Sequence, residues 1–188
     1  MGYYSIHLPK NACSYQKETE LELEKILLQV NPNVIHIFGT EFPHSLAMMR
    51  VCYKLNLQNK TVISIQGLTS ICKKHYYANL PNNVINGFTL RDIIRRDNIK
   101  KQADGFEKRG YFEIEAIKLS KNIIGRTEWD KACISQLNPN TNYYFCNETL
   151  RDEFYKHSWD IKKCEKHSIF MSQAYYPIKG CHFMLQAM

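Results

Sequence analysis

Short apolar runs alternate with helical stretches along this chain, and that alternation limits the fold more than any other feature. The runs are VIHIF at 34–38, closed by Gly39, and TVISI at 61–65, closed by Gly67. NIIG at 122–125, NYYFC at 142–146 and HSIFMS at 167–172 follow. Each is too short for a helix and rich in β-branched or aromatic residues, which reads as a buried parallel strand. YYSIHL at 3–8 is β-prone as well. Between the runs, residues 18–30 place Leu21, Ile26, Leu27 and Val30 at helical spacing before an Asn-Pro-Asn break. Pro43 suits the first turn of a helix over 44–55. Residues 112–120 read as helical, and Thr127 with Asp130 forms a near capping box for a helix over 127–137. The expected architecture is α/β and Rossmann-like, a mostly parallel sheet flanked by helices.

In such folds ligands bind at the carboxyl ends of the strands. The candidate cleft residues are therefore Gly39, Thr40 and Glu41, then Gln66 and Gly67, then Arg126, and finally Asn147 and Glu148. Arg126 follows a buried strand and precedes a helix, so packing explains it poorly. Asn147 reads equally as a turn residue. Thr127 reads as a structural N-cap. His36, inside an apolar run, reads as a satisfied core histidine before it reads as a catalyst. Tyr76, Tyr77, Tyr143 and Tyr144 read as core or rim aromatics. There is no Walker motif, no G-x-G-x-x-G, no G-x-S-x-G and no His/Cys cluster with metal spacing. Nucleotide-loop, Ser-His and metal chemistries thus lack a sequence basis.

The chain has 188 residues, 44% of them hydrophobic, enough to bury a core. Its seven cysteines are scattered, with no C-x-x-C pair, which reads as reduced thiols in a cytosolic protein. No apolar run approaches the ~18 residues a membrane span needs. The net charge is +7. It is densest at 90–110, where Arg91, Arg95, Arg96, Lys100, Lys101, Lys108 and Arg109 outnumber Asp92, Asp97, Asp104 and Glu107. This stretch reads either as a solvated helix face laced with ion pairs or as a surface for anionic lipid at the inner face of a membrane. Nucleic acid is not expected as a partner, because the stretch has no interleaved aromatics and no recognisable motif.

Taken together, the strand ends carry a resemblance. NPNVIHIFGTEFPH resembles the "PD-V-H-x-H" strand of GT-B glycosyltransferases of the retaining family-four, or group-one, type. TVISIQG resembles their next strand, which usually ends in His. EIEAIKLSKNIIGRTEWDKACI resembles "E-x-x-x-x-x-x-A-D-x-V-I-x-x-S-E", with Thr127-Glu128 at the Ser-Glu. YYFCNETLR resembles "x-I-x-N-G-V-D", and SIFMSQAYYPIKGCHFMLQAM resembles "V-G-R-L-x-x-x-K-G-x-x-x-L-L-x-A". The likeness runs from about residue 17 onward.

The resemblance implies a division of the chain. Residues 1–150 would be the acceptor-side Rossmann-like domain, lacking its first strand and glycine-rich loop. Residues 151–166 would be a hinge, and 167–188 the opening strand, loop and helix of the donor-binding domain. The chain would then be a segment of a longer enzyme, inactive alone. Lys179 and Gly180, with Gln173 where the family has Arg, would hold the donor diphosphate. Gln keeps donors there but loses the charge. Gln66 stands where the family has His, and Glu148 where it has the hinge glycine. The activity implied is transfer of a sugar from a nucleotide sugar, as co-substrate, to a hydroxyl of a glycan, lipid or small molecule, with retention and without metal or other cofactor. The alternative is a non-catalytic α/β binding or regulatory module of a glycosylation complex.

Overall fold

The four apolar runs between residues 34 and 146 pair with one another in the order of the chain. A computed structural model describes residues 2–188, and Met1 lies outside them. Strands β1 (Ile35–Phe38), β2 (Thr61–Ser64), β3 (Asn122–Gly125) and β4 (Asn142–Phe145) form a four-stranded parallel sheet in the order β1-β2-β3-β4. The long helices are α1 (Lys17–Val30), α2 (Pro43–Lys54), α6 (Ile99–Leu119) and α7 (Glu128–Leu137). Short helices α3 (Thr69–Cys72), α4 (Asn82–Asn86) and α5 (Leu90–Arg95) occupy the connection from β2 to α6. Helices α8 (Asp152–Lys156) and α9 (Cys181–Ala187) follow β4. This is the α/β, Rossmann-like arrangement expected.

The strand order never reverses, and parallel crossovers are almost always right-handed, so every crossover helix falls on the same face. Packing follows: α2 lies against α1 and α6, and α6 against α3 and α7. On the covered face Ile37, Ile63, Ile123 and Tyr143 stand in register across the four strands. They join Leu27, Leu46, Met49, Ala116, Ile117 and Ile134 in one core. The alternate row, Phe38, Ser64, Ile124 and Tyr144, points the other way. There Phe38 is 70% exposed and Tyr144 51%. The runs look fully buried in sequence because the outward row also carries apolar side chains, Phe38, Val62 and Ile124, beside His36 and Ser64, yet only one face is covered.

A single carboxylate ties the layers together. Glu113, on α6, is fully buried. Its Oε2 accepts from the Thr69 backbone N–H at 2.9 Å, and Oε1 from that of Ser70 at 2.9 Å. The Thr69, Ser70 and Thr40 hydroxyls also donate to it. It thus caps the start of α3 and holds the loop after β1. The helices come close enough for this because Gly110 lacks a side chain; a Cβ there would lie 2.7 Å from Ser70 Cα.

Four sequence expectations need correction. YYSIHL forms no strand, and neither does HSIFMS at 167–172. Neither run has a strand partner, and β-propensity counts for little without one. On α1 the buried apolar residues are Leu23 and Leu27, while Leu21 and Val30 are exposed. The helix expected over 112–120 begins at Ile99 and carries Gly105 and Gly110 inside it. The capping box at α7 is present, with Thr127 Oγ1 accepting from Asp130 N–H and Asp130 from Thr127 N–H.

Candidate functional site

The ends of β1, β2, β3 and β4 open into a groove of about 660 Å³ on the uncovered face. Its floor is Phe38 and Ile124, from the exposed row. Its walls carry His36, Ser64, Gln66, Asn147 and Glu148. Strand period sets this: residues two apart share a face, so His36 stands beside Phe38 with ring centroids 4.0 Å apart. The His36 imidazole Nε2 lies 2.6 Å from Ser64 Oγ on the neighbouring strand. His36 is therefore an exposed groove residue and not the core histidine expected. The signal was present in the alternation Ile35-His36-Ile37-Phe38, which puts His36 opposite the isoleucines.

Three of the expected residues form one hydrogen-bonded chain at the groove's upper edge. Gln66 Nε2 donates to Glu148 Oε1 at 2.6 Å. The Arg126 guanidinium pairs with Glu148 Oε2 at 3.2 Å and donates to the Gln66 carbonyl at 3.3 Å. Arg126 is aimed there by its backbone, whose N–H donates to Asp130 Oδ2 at 3.0 Å, an extension of the α7 cap. The Tyr143 hydroxyl donates to the Thr127 carbonyl at 3.1 Å and stiffens the same turn.

The loop after β1 contributes from the side. Gly39 takes a left-handed conformation, φ 81°, that a side chain would strain, and the Glu41 carboxylate folds directly over it. A Cβ on Gly67 would lie 3.5 Å from Glu41 Oε1, so Glu41 spans the two glycine turns. Thr40 belongs elsewhere. It is fully buried, and its hydroxyl donates to Glu113 Oε2 at 3.2 Å, so it supports the loop from beneath and does not line the cleft.

The residues expected to hold a diphosphate stand apart from this edge. Pro177–Lys179 is a single 3-10 turn, and Gly180 ends it with φ 78° as α9 begins. Lys179 and Gln173 are exposed. Among the described residues, neither side chain shares a hydrogen bond or ion pair with the groove. The neighbouring aromatics dock on the helical layer instead. Tyr176 packs against buried Tyr76 at 6.1 Å and Phe106 at 5.4 Å, and His182 bonds the Ala78 carbonyl at 2.8 Å.

The groove can hold a polar ligand from several sides. Glu148 accepts, Gln66 and Asn147 both donate and accept, Arg126 donates, and His36 offers a ring nitrogen, above an apolar floor. Among the described residues, no group of three His, Cys, Asp or Glu side chains has the spacing to hold a metal ion. No helix among them is long and apolar enough to cross a membrane. Fold and groove together define a Rossmann-like α/β protein with a polar-walled site at the carboxyl ends of its strands. Comparison with family profiles, with curated proteins and with solved structures finds no match for the chain.

Proposed function

We propose that this protein serves glycosyl transfer, presenting the acceptor side of an enzyme that moves a sugar from a nucleotide sugar to an acceptor hydroxyl. The observation that carries the reading is the meeting of His36, Gln66 and Glu148 around an apolar floor at the carboxyl ends of parallel strands, with Arg126 paired to Glu148 at the edge. A pyranose ring carries hydroxyls at its rim and apolar C–H groups on its faces. Carboxylate, amide and guanidinium groups match the rim, and Phe38 matches a face. The order of motifs resembling retaining GT-B enzymes adds the reaction. The anomeric C–O bond to the diphosphate breaks and a bond to the acceptor oxygen forms. The acceptor proton leaves with the phosphate. Lys179 and Gly180 would steady the departing charge, with Gln173 as an uncharged hydrogen-bond donor.

Titration of the protein with neutral mono- and disaccharides, followed by ¹⁵N-amide NMR, tests the binding half. Shifts at Gln66, Arg126 and Glu148, weakened about tenfold in Glu148→Ala, are expected from loss of a charge-assisted hydrogen bond. Incubation with radiolabelled nucleotide sugars and the sugars that bind tests the reaction. Absence of any saccharide binding overturns the reading. A second reading, a non-catalytic saccharide-binding or regulatory module, draws on two observations. Gln66, Arg126 and Glu148 satisfy one another, and Gln173 and Lys179 lie off the groove. It expects binding without transfer.

A further inference from the structure

The segment before α1 stays out of the sheet and straps across the N-terminal ends of α1 and α2. It is pinned along its length. The His7 N–H donates to Glu22 Oε2 at 2.8 Å, Thr19 Oγ1 donates to the His7 carbonyl at 3.4 Å, and Cys13 Sγ to the Gly105 carbonyl at 3.6 Å. Tyr15 stacks on Phe112 with centroids 5.7 Å apart. Between this strap and α2 lies a cavity of about 250 Å³, walled by Leu8, Pro9, Tyr15, Phe42, Pro43 and Ala47. It is separate from the groove on the sheet face, with which it shares no lining residue.

Four features of the cavity define what fits it. No Asp, Glu, Lys or Arg lines it, so a charged ligand would lose its hydration without a partner. Phe42 and His44, which both line it, stack with centroids 5.8 Å apart and planes 10° from parallel. The His44 imidazole, which also lines the cavity, has no hydrogen-bond partner among the described residues, and burial pushes its pKa below the usual value, which keeps it neutral. The size lies above the roughly 150 Å³ that admits benzene and just under the roughly 300 Å³ where drug-sized sites begin.

We propose that this cavity binds an uncharged aromatic compound of one or two fused rings bearing a hydroxyl. The ring lies between the Phe42–His44 wall and the Leu8–Pro9 strap, and its hydroxyl donates to the His44 imidazole. The site is independent of the glycosyl-transfer reading and stands or falls by itself.

Calorimetric titration with 2-naphthol, naphthalene and 2-naphthoate tests it. Saturable 2-naphthol binding with Kd below about 1 mM is expected, with 2-naphthoate at least about tenfold weaker. His44→Leu keeps the shape and removes the acceptor. It should weaken 2-naphthol about five- to tenfold and leave naphthalene unchanged. Ala12 also lines the cavity and is exposed, so Ala12→Trp fills it from the rim and should abolish binding while the melting temperature stays at the wild-type value. Three results overturn the proposal: no saturable 2-naphthol binding, binding that survives Ala12→Trp, or equal affinity for 2-naphthoate. Equal loss of naphthalene and 2-naphthol in His44→Leu overturns the hydroxyl contact.

Discussion

At the scale of single residues, Glu113 joins α6 to the start of α3 and to the loop after β1. Each of its oxygens faces a backbone N–H, Thr69 on one side and Ser70 on the other. An amide in its place would turn its NH₂ toward one of those donors in either orientation. Glu113→Gln should therefore cost about 1–3 kcal/mol in chemical denaturation, and Gly110→Ala a similar amount by pushing α6 off the Ser70 backbone. Burial raises the Glu113 pKa above its ordinary 4.5, and hydrogen bonds from Ser70 and Thr69 oppose this without overcoming it. The folded state thus holds the proton more tightly than the unfolded chain. The contribution of this group is fully present below pH 4.5 and is lost as pH rises through the folded value. Denaturation at a series of pH values should show wild type gaining on Glu113→Gln as pH falls through that window; parallel curves would contradict the shift. Glu113 opens one of the motif-like segments, but its buried, bracing role was not legible because an acid inside a helical stretch looks solvated. Gln66, Arg126 and Glu148 were legible because strand ends alone predict them, whereas Thr40 occupies the same kind of position and turns inward to that buried acid.

At the scale of elements, strands were legible where a partner existed. Each of β1 to β4 is an apolar run ended by a glycine or a polar turn, and each found a neighbour. The runs at 3–8 and 167–172 have the same composition and none, which composition cannot reveal. The basic stretch resolves into α5, an αL turn at Arg96 and the first half of α6. Arg109 leaves the charged face and packs over the Phe42 and Phe106 rings, 5.3 and 4.8 Å from their centroids, while Lys73 pairs with Glu107 at 2.7 Å. What remains outward is mixed. Leu90 and Ile94 are each 74% exposed and Phe88 69%, among Arg95, Arg96, Lys100 and Lys101. Apolar side chains framed by cations suit shallow insertion into an anionic bilayer surface. Co-sedimentation with phosphatidylserine-containing vesicles is expected, with little on neutral ones. Reversal of Arg95, Arg96, Lys100 and Lys101 should remove binding at all salt concentrations, and Leu90→Ser/Ile94→Ser should weaken it at low salt. Equal binding to both vesicle types would leave the stretch as a solvated face.

At the scale of the whole molecule, the helices and the covered sheet face concentrate the packing between residues 17 and 145, and the chain beyond β4 adds little to it. From Phe145 to Tyr175 nearly every residue is exposed, with Trp159 at 78% and Phe170 at 91%. Glu148 still bonds Gln66 and Arg126 at the groove, and after it the chain returns at Tyr175, Tyr176 and His182, to Arg91, Tyr76, Phe106 and Ala78. The family resemblance implied a boundary near residue 150, but nothing in the sequence showed where the chain would dock again. Those contacts are aromatic and long-range, and their partners are chosen by the fold. Local stability follows buried packing, so opening should cost least where burial is least. Hydrogen exchange should be slowest at the amides of β2 and β3, the two inner strands, slower than in the edge strands β1 and β4. It should be near the unprotected rate across 147–173. Brief trypsin treatment should cut first among Arg151, Lys156, Lys162, Lys163 and Lys166, leaving a resistant core that ends near β4. The core should unfold in one transition at nearly the intact protein's temperature, because none of its buried cluster lies beyond residue 145. Protection across 147–173 equal to that of β2, or a core that melts well below the intact chain, would show that this segment carries folding energy the packing does not explain.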